Sequence, residues 1–158
     1  MKEYLLLTSG YHLGGMITHF FLPRHGDFME MALHHLVAIY LMLGSYMFNA
    51  MEISAVIAFL HDIADITTNI VKCLTETNDK FVLPVTFMTH MAIWFYTRMV
   101  VLPWLIWKCA MFEIDWDKRI MYIFTYLLSC MCILHYYWFA MFCKMLKKFL
   151  TKGATEDT

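Results

Sequence analysis

Residues 34–72, HHLVAIYLMLGSYMFNAMEISAVIAFLHDIADITTNIVK, carry a histidine pair and a His-Asp-x-x-Asp group at the two ends of a long apolar run. Between the histidine pair and the His-Asp group, the one charged residue is Glu52. A membrane-spanning helix needs roughly 20 mostly apolar residues, so this stretch can contribute to two. A carboxylate at mid-membrane costs about 2.5–3.5 kcal/mol on insertion scales. We therefore expect Asp62 and Asp65 to face a cavity, to pair with other side chains or to take part in chemistry.

The composition of the whole chain agrees with a membrane environment. Of 158 residues, 61% are hydrophobic, 17% are aromatic and 16% are charged, whereas a soluble domain is about 25% charged. The length is that of one domain. The net charge of -1 provides no basic field for nucleic acid, so we expect no nucleic-acid partner. The five cysteines have no metal-binding spacing and are interpreted as packing residues.

Apolar runs predict an all-α integral membrane protein, a bundle of about five transmembrane helices. The five predicted segments are residues 4–22, 28–48, 50–74, 81–108 and 120–146. The last of these leads into a polar segment that begins at Lys147. We divide the chain into a transmembrane domain, 1–150, and a polar C-terminal tail, 151–158.

The distribution of Lys and Arg predicts the orientation of the bundle. With five crossings, the two termini lie on opposite sides of the membrane. The side of the C-terminus would then hold most of the cations: Arg24, Lys72, Lys80, Lys144, Lys147, Lys148 and Lys152. We therefore expect the C-terminus on the cytosolic side, or on the matrix side if the membrane is the mitochondrial inner membrane rather than the endoplasmic reticulum.

The spacing within the His-Asp-x-x-Asp group predicts a polar helical face. His61 and Asp65 are four residues apart, and Asp62 and Asp65 are three apart, so the three side chains share one face. A carboxylate beside an imidazole makes the imidazole a general base or a nucleophile, which suits acyl transfer. A zinc or iron site is the rival interpretation. Candidate partners from other helices are His34, His35 and Arg98.

The polar positions of this stretch resemble the Lag motif of ceramide synthases and the wider TLC-domain family. The matching residues are His34, His35, Ser45, Asn49, His61, Asp62, Asp65 and Lys72. Further on, Arg98, Val101 and Pro103 resemble the family's Arg-Leu-Ile-Val-Phe-Pro stretch, and residues 133–138 resemble its Leu-His-x-x-Trp ending. The resemblance covers about residues 4 to 150.

The resemblance implies a fold and a reaction. Ceramide synthases join a fatty acyl group from acyl-CoA to the amine of a sphingoid base inside a six-helix barrel. Carried over, His34 or His35 would be the base or the acyl-accepting residue, with Asp62 and Asp65 orienting it and His61 beside them. The implied substrate-binding or lipid-binding residues are Ser45, Asn49, Trp94 and Arg98. Acyl-CoA would be a substrate, and no cofactor or bound metal is implied.

Arg98 has two possible roles at this stage. It is either the counter-ion of Asp62 or Asp65, or a ligand for a phosphate of acyl-CoA. Four other histidines are interpreted more simply, as cavity-lining or packing residues (His12 and His19) or as structural residues (His90 and His135).

Two functional hypotheses follow. The first is a non-catalytic subunit that holds lipid within a larger membrane assembly, such as a mitochondrial respiratory complex. It is motivated by a barrel that lacks its opening helix and by Glu52, where the family usually has Arg. Its partners would be membrane lipids and other membrane subunits. The alternative is a sphingoid-base N-acyltransferase of the ceramide synthase type. A metal-dependent lipid hydroxylase is a third, more distant hypothesis.

Overall fold

The computed structural model of the protein describes residues 1–21, 26–77, 81–112 and 118–152. This part of the chain is helical and contains no strand, which confirms the all-α prediction. The α-helices are α1 (Lys2–Phe21), α2 (Phe28–Met47), α3 (Met51–Thr77), α4 (Val82–Trp94), α5 (Leu102–Phe112) and α6 (Lys118–Lys152). A seven-residue π-helix, Phe95–Val101, joins α4 to α5 and is called the π segment below.

Four helical segments of the described chain are long and apolar enough to cross a membrane. They are α2, α3, the continuous helix formed by α4, the π segment and α5, and α6. The first helix, α1, has 20 residues but does not belong to this group, because glycines and polar side chains interrupt its apolar residues. It packs along α2, the most extensive helix–helix contact in the bundle.

The surface of the bundle is apolar. Large hydrophobic side chains point outward on every helix, among them Leu7, which is 75% exposed, and Met47, which is 77% exposed. Soluble monomers rarely expose apolar patches larger than a few hundred Å². Such a surface requires lipid as its solvent, so the protein is an integral membrane protein.

The last helix extends beyond the predicted segment. The apolar run predicts a helix over 120–146, whereas α6 continues to Lys152. Residues 147–152 include Lys and Leu, which are good helix formers, so the helix persists after the apolar pattern ends. The remainder of the predicted tail, 153–158, lies outside the described residues, as do Arg24 and Lys80.

A tight turn makes α2 and α3 an antiparallel hairpin. Asn49 has a φ of 58°, the left-handed conformation that Asn adopts more readily than most residues. The Ala50 backbone N–H donates to the Ser45 carbonyl at 2.8 Å, as in a Schellman motif at a helix end. Asn49 therefore terminates α2 through its backbone conformation, and this places the two polar ends of the Lag-like stretch on neighbouring helices.

The π segment precedes a proline. Pro103 has no backbone N–H and its ring crowds the carbonyl one turn earlier, which an uninterrupted α-helix does not accommodate. The Leu102 N–H bonds to the Thr97 carbonyl, five residues back, so the helix is widened just before the proline. The widened turns carry Arg98, which is 1% exposed, into the bundle.

The packed core surrounds the middle of α6. Leu128, Met131, Leu134 and Trp138 of this helix contact core residues of the other helices, namely Val37, Ala38, Leu41, Ala64 and Trp94. Successive members on α6 are three or four residues apart, as expected for one buried helical face. This face of α6 forms one wall of the polar site described next.

Candidate functional site

Arg98 connects three helices at the centre of the bundle. Its Nη2 donates to Asp65 Oδ1 at 2.7 Å and to the His61 carbonyl at 3.0 Å, both on α3. Its Nη1 donates to His135 Nε2 on α6 at 2.7 Å. The guanidinium carbon lies 4.3 Å from the centre of the Trp94 ring. Of the two roles predicted for Arg98, the structure places it as the counter-ion of Asp65.

Three histidines and a tryptophan next to this arginine pack together and form what we call the ring cage: His34, His61, His135 and Trp138. The centres of the His61 and His135 rings are 5.0 Å apart. The centre of the His34 ring lies 6.3 Å from that of His61 and 5.4 Å from that of Trp138. All four side chains are buried. The ring cage brings α2, α3 and α6 together at a single point.

His61 has a defined hydrogen-bonding state. Its Nδ1 donates to the Ile57 carbonyl at 2.7 Å, one turn earlier in α3. In a neutral imidazole the other nitrogen, Nε2, then carries a lone pair. Within the described structure, Nε2 is buried and has no hydrogen-bond partner. This nitrogen can accept a proton or attack an electrophilic carbon.

An apolar channel begins at His61. It runs between α2, α3, α5 and α6 and is lined mainly by aliphatic and aromatic side chains, including Leu41, Ile57, Ile106 and Phe124. Ser45 also lines it, but its Oγ donates to the Leu41 carbonyl at 2.6 Å and lies 2.6 Å from Ser54 Oγ. This lining suits an apolar group, and His61 provides a polar side chain in the channel wall.

His35 belongs to a second histidine group, formed with α1. Its Nδ1 lies 3.2 Å from His12 Nδ1, so one of the two rings donates to the other. Gly15 permits this approach, because an added Cβ there would lie 3.0 Å from His35 Cε1. The centres of the His12 and His34 rings are 5.8 Å apart, which joins this pair to the ring cage. His12 also lines the channel, in agreement with one of its predicted roles.

The two aspartates of the Lag-like motif face a different space from the channel. Asp62 Oδ2 accepts a hydrogen bond from the Tyr4 hydroxyl of α1 at 2.5 Å. Asp62 and Asp65 both line an open groove between α1 and α3, together with Tyr4, Tyr11 and Asn69. The helical face predicted from the spacing therefore borders two different spaces. His61 lies toward the channel, and the two carboxylates lie toward the groove. Asp65 alone of the pair also reaches Arg98.

The remaining predicted residues have identifiable structural positions. Trp94 is buried under the Arg98 guanidinium, and its Nε1 donates to the His135 carbonyl at 3.4 Å. Asn49 occupies the turn between α2 and α3. His90 bonds to Thr67 at 2.8 Å and His19 bonds to the Phe28 carbonyl at 2.9 Å.

Sequence reasoning missed the importance of two residues on α6. The sequence predicts a structural role for His135, and the structure shows in addition that it bonds to Arg98 and belongs to the ring cage. For Trp138 the sequence predicts no role beyond its place in the Leu-His-x-x-Trp resemblance, whereas in the structure its ring lies against His34. The available signal was their spacing of three residues, which puts both on the same helical face.

Comparison with known proteins identifies the family. A model of the TLC domain matches residues 1–144. The chain belongs to the TLC-domain family. It is 33% identical over 156 residues to ceramide synthase 4 of Mus musculus, an alignment that covers 96% of this chain and 40% of the relative. It is also 30% identical to ceramide synthase 4 of Homo sapiens over 154 residues, covering 96% of this chain and 39% of the relative.

A plant relative extends the comparison. The chain is 25% identical over 155 residues to ceramide synthase 1 LOH3 of Arabidopsis thaliana, covering 92% of this chain and 50% of the relative. This TLC-domain chain therefore spans between about two fifths and half of the length of these curated relatives. No solved structure matches it. The relatives favour the acyltransferase hypothesis over the accessory-subunit hypothesis.

The metal-site alternative gains no support from the geometry. In the part of the chain that the structure describes, no group of three or more His, Cys, Asp or Glu side chains is arranged to hold a metal ion. The cation at the centre of the site is the guanidinium of Arg98, which already neutralises Asp65.

Proposed function

We propose that this TLC-domain protein is an acyl-CoA-dependent N-acyltransferase of the ceramide synthase type, acting on the amine of a sphingoid base. The observation that carries the proposal is the lone pair of His61 Nε2, which is buried at the end of an apolar channel. Ceramide synthases among the relatives supply the substrate class. The acyl chain would occupy the channel, and its thioester carbon would lie beside the ring cage.

The apolar lining of the channel is long enough to lie beside much of such a chain. Along α3 its lining extends from His61 to Ala50, the residue just before the helix. Eleven residues at 1.5 Å per residue correspond to about 17 Å of apolar lining. Burial of the methylene groups would contribute about 0.8 kcal/mol each, enough to hold the acyl group in place during transfer.

The reaction needs a group that accepts one proton. The amine nitrogen attacks the thioester carbonyl carbon, a C–N bond forms and the C–S bond to coenzyme A breaks. The amine proton passes to an imidazole nitrogen and then to the departing thiolate sulfur. His61 is the first candidate for this base because its tautomer is set by Ile57. His34 or His35 would serve as a second base or as the residue that accepts the acyl group before the amine does.

The charged residues would support this chemistry indirectly. Arg98 positions the backbone of His61 and the ring of His135 while neutralising Asp65. We place the protein in the endoplasmic reticulum membrane, in keeping with the ceramide synthase resemblance. Acyl-CoA is a substrate in this proposal, and no resident cofactor is assigned.

The test is an acyl-transfer assay on the whole chain. Membranes from cells depleted of their own ceramide synthases are supplied with the chain, a set of acyl-CoAs and isotope-labelled sphinganine, and the labelled N-acyl product is measured by mass spectrometry. We expect product with the wild-type chain. Removing a general base typically costs about 10²–10⁴-fold, so His61→Gln should lose activity by about that factor.

A buried histidine outside the channel provides the matched control. His90 is 2% exposed, His61 is 7% exposed, and His90 bonds to Thr67, so His90→Gln removes another buried imidazole. We expect it to retain activity. Wild-type membranes that make no labelled product with any acyl-CoA would refute the proposal. If the chain instead runs in a large hetero-oligomeric complex on a native gel and has no activity, the accessory-subunit hypothesis would be supported.

A further inference from the structure

The ring cage contains buried polar atoms that lack partners. Within the described residues, five such nitrogens occur, and all belong to this cage or to Arg98: His34 Nδ1, His61 Nε2, Arg98 Nε, His135 Nδ1 and Trp138 Nε1. Buried polar groups are normally hydrogen-bonded, and each exception calls for an explanation. The need is greater in a membrane, because lipid provides no hydrogen bonds. Their concentration at one place indicates a site for a polar group of a ligand.

Two of these nitrogens can be identified as hydrogen-bond donors. Arg98 Nη1 is always a donor, so His135 Nε2 must accept at 2.7 Å. The proton of the neutral His135 ring is therefore on Nδ1, which makes Nδ1 a donor. The indole Nε1 of Trp138 can only donate. His135 and Trp138 thus each present one N–H group that has no acceptor in the described structure.

These two N–H groups belong to one turn of α6 and lie close to the candidate bases. The centres of the His135 and Trp138 rings are 6.2 Å apart. The His135 ring centre is 5.0 Å from that of His61 and 6.1 Å from that of His34. The His135 ring therefore lies beside both candidate bases, and the Trp138 ring lies beside His34, with ring centres 5.4 Å apart. The positive charge of Arg98 makes the electrostatic potential near the two N–H groups more positive, since its Nη1 contacts the His135 ring.

We infer that His135 Nδ1–H and Trp138 Nε1–H form an oxyanion hole for the acyl thioester. When the amine attacks the carbonyl carbon, the electron pair of the C=O π bond moves to the oxygen. The two N–H groups bind that oxygen, and they release it when the carbonyl re-forms and the C–S bond to coenzyme A breaks. Donors that are fixed in a dry site stabilise such charge more effectively than water does. This inference rests on the proposed acyl transfer and names two further catalytic residues for it.

The rigid support of both donors agrees with this role. The His135 ring is held by Arg98, and the His135 carbonyl accepts from Trp94 Nε1 at 3.4 Å. Trp138 packs in the apolar core with Trp94, with ring centres 6.3 Å apart. Preorganised donors need no rearrangement as the charge develops.

The test removes one N–H group with little change in shape. Trp138→Phe keeps an aromatic ring in the core and deletes the donor. Loss of one oxyanion-hole donor lowers kcat by about 10²–10³-fold, and we expect this loss with KM for acyl-CoA changed by less than about threefold. The matched control is Trp104→Phe, which makes the same change at a side chain that is 54% exposed on α5. Size-exclusion elution and the thermal unfolding midpoint in detergent verify that both variants are folded.

A second measurement uses the wild-type chain and does not depend on a variant that folds. In the dithioester analogue of acyl-CoA, sulfur replaces the carbonyl oxygen and is a poor acceptor for the two N–H groups. We expect wild-type turnover of this analogue to be lower than turnover of the thioester. Equal turnover of the two, or Trp138→Phe with a kcat within twofold of wild type, would overturn the oxyanion hole.

Two acceptors separate this inference from the proposed function. Hydroxylamine replaces sphinganine in a parallel assay of thioester consumption. Transfer to hydroxylamine but not to sphinganine would refute the proposed amine substrate. The Trp138→Phe comparison would still decide the oxyanion hole in that case. Transfer to neither acceptor would remove both conclusions.

Discussion

At the scale of single residues, Arg98 shows how an arginine is accommodated at bilayer depth. A charged side chain at a helix centre is costly unless it pairs inside the bundle. Arg98 bonds to a carboxylate, a carbonyl and an imidazole, and it lies over the Trp94 ring. The arrangement needs a planar group with several donors, so lysine would not replace arginine here. The same bonds orient His135 and the α3 backbone at His61.

A double-mutant cycle measures the Arg98–Asp65 pair. Arg98→Met leaves Asp65 without its counter-ion, and Asp65→Asn removes the charge of the carboxylate. We expect a coupling free energy of about 1–3 kcal/mol, because residues in one ion-pair network are not independent. The measurement is the free energy of unfolding in detergent for the two single variants and the double variant.

An exposed cation on α6 provides the control for this cycle. Lys147→Met combined with Asp65→Asn should give additive effects, since Lys147 is exposed near the end of that helix. Additive effects for Arg98→Met and Asp65→Asn as well would show that the 2.7 Å contact contributes nothing to stability.

At the scale of elements, helix contacts define the channel and its far end. Phe124 of α6 lines the channel and packs edge-on against Phe48, with ring centres 6.3 Å apart. The same ring lies over Gly44 of α2, where an added Cβ would be 2.9 Å from Phe124 Cζ. The absence of a side chain at Gly44 is thus what allows Phe124 to lie against α2. This ring therefore forms part of the channel wall where α2 and α6 meet.

The preferred length of the acyl chain should depend on the position of the Phe124 ring. Gly44→Ala displaces the ring from α2 into the channel, and we expect product from shorter acyl-CoAs to increase relative to longer ones. Phe124→Ala removes the ring, and we expect the opposite shift, by several-fold in each direction. The measurement is the product distribution from an equimolar mixture of acyl-CoAs.

A neutral glycine substitution is the control for the chain-length experiment. Gly10→Ala on α1 meets no atom within 4 Å and should leave the distribution unchanged. If Gly44→Ala and Phe124→Ala shift the distribution in the same direction, or not at all, the acyl chain does not end at this ring.

At the scale of the whole molecule, the number of crossings determines the topology. Four helical segments meet the length and hydropathy needed for a span, and α1 lies against α2. If α1 also crosses the bilayer, the termini lie on opposite sides. If it does not, they lie on the same side.

Protease protection of terminal epitope tags in sealed microsomes tests the topology. We expect the C-terminal tag on the cytosolic side, as the cations near the end of α6 predict, and the N-terminal tag protected in the lumen. A luminal C-terminal tag would contradict the predicted orientation. Cleavage of both tags would instead show that α1 does not cross.

The sequence by itself determined that lipid surrounds the protein and that the fold is all-α. It also identified the polar residues that resemble those of the TLC-domain family. Long apolar runs have few stable alternatives to helices in lipid, because each backbone polar group must be paired within its own segment. The predicted helix positions agree with the observed ones apart from small shifts at the ends. The largest shift is the continuation of α6 to Lys152. The spacing of His61, Asp62 and Asp65 also identified the helix that carries the site.

Only the tertiary structure decided which polar groups meet. Spacing placed His61 and Asp62 on one face of α3, yet a single helix face borders two spaces when different helices pack on either side of it. His61 therefore reaches the channel, while Asp62 bonds to Tyr4 of α1. His135 and Trp138 join the cage through the packing of α6. His135 follows Arg98 by 37 residues in the chain, yet the two side chains are hydrogen-bonded. Such contacts between distant segments depend on helix packing angles and on the π segment, and these are properties of the assembled bundle rather than of any local pattern.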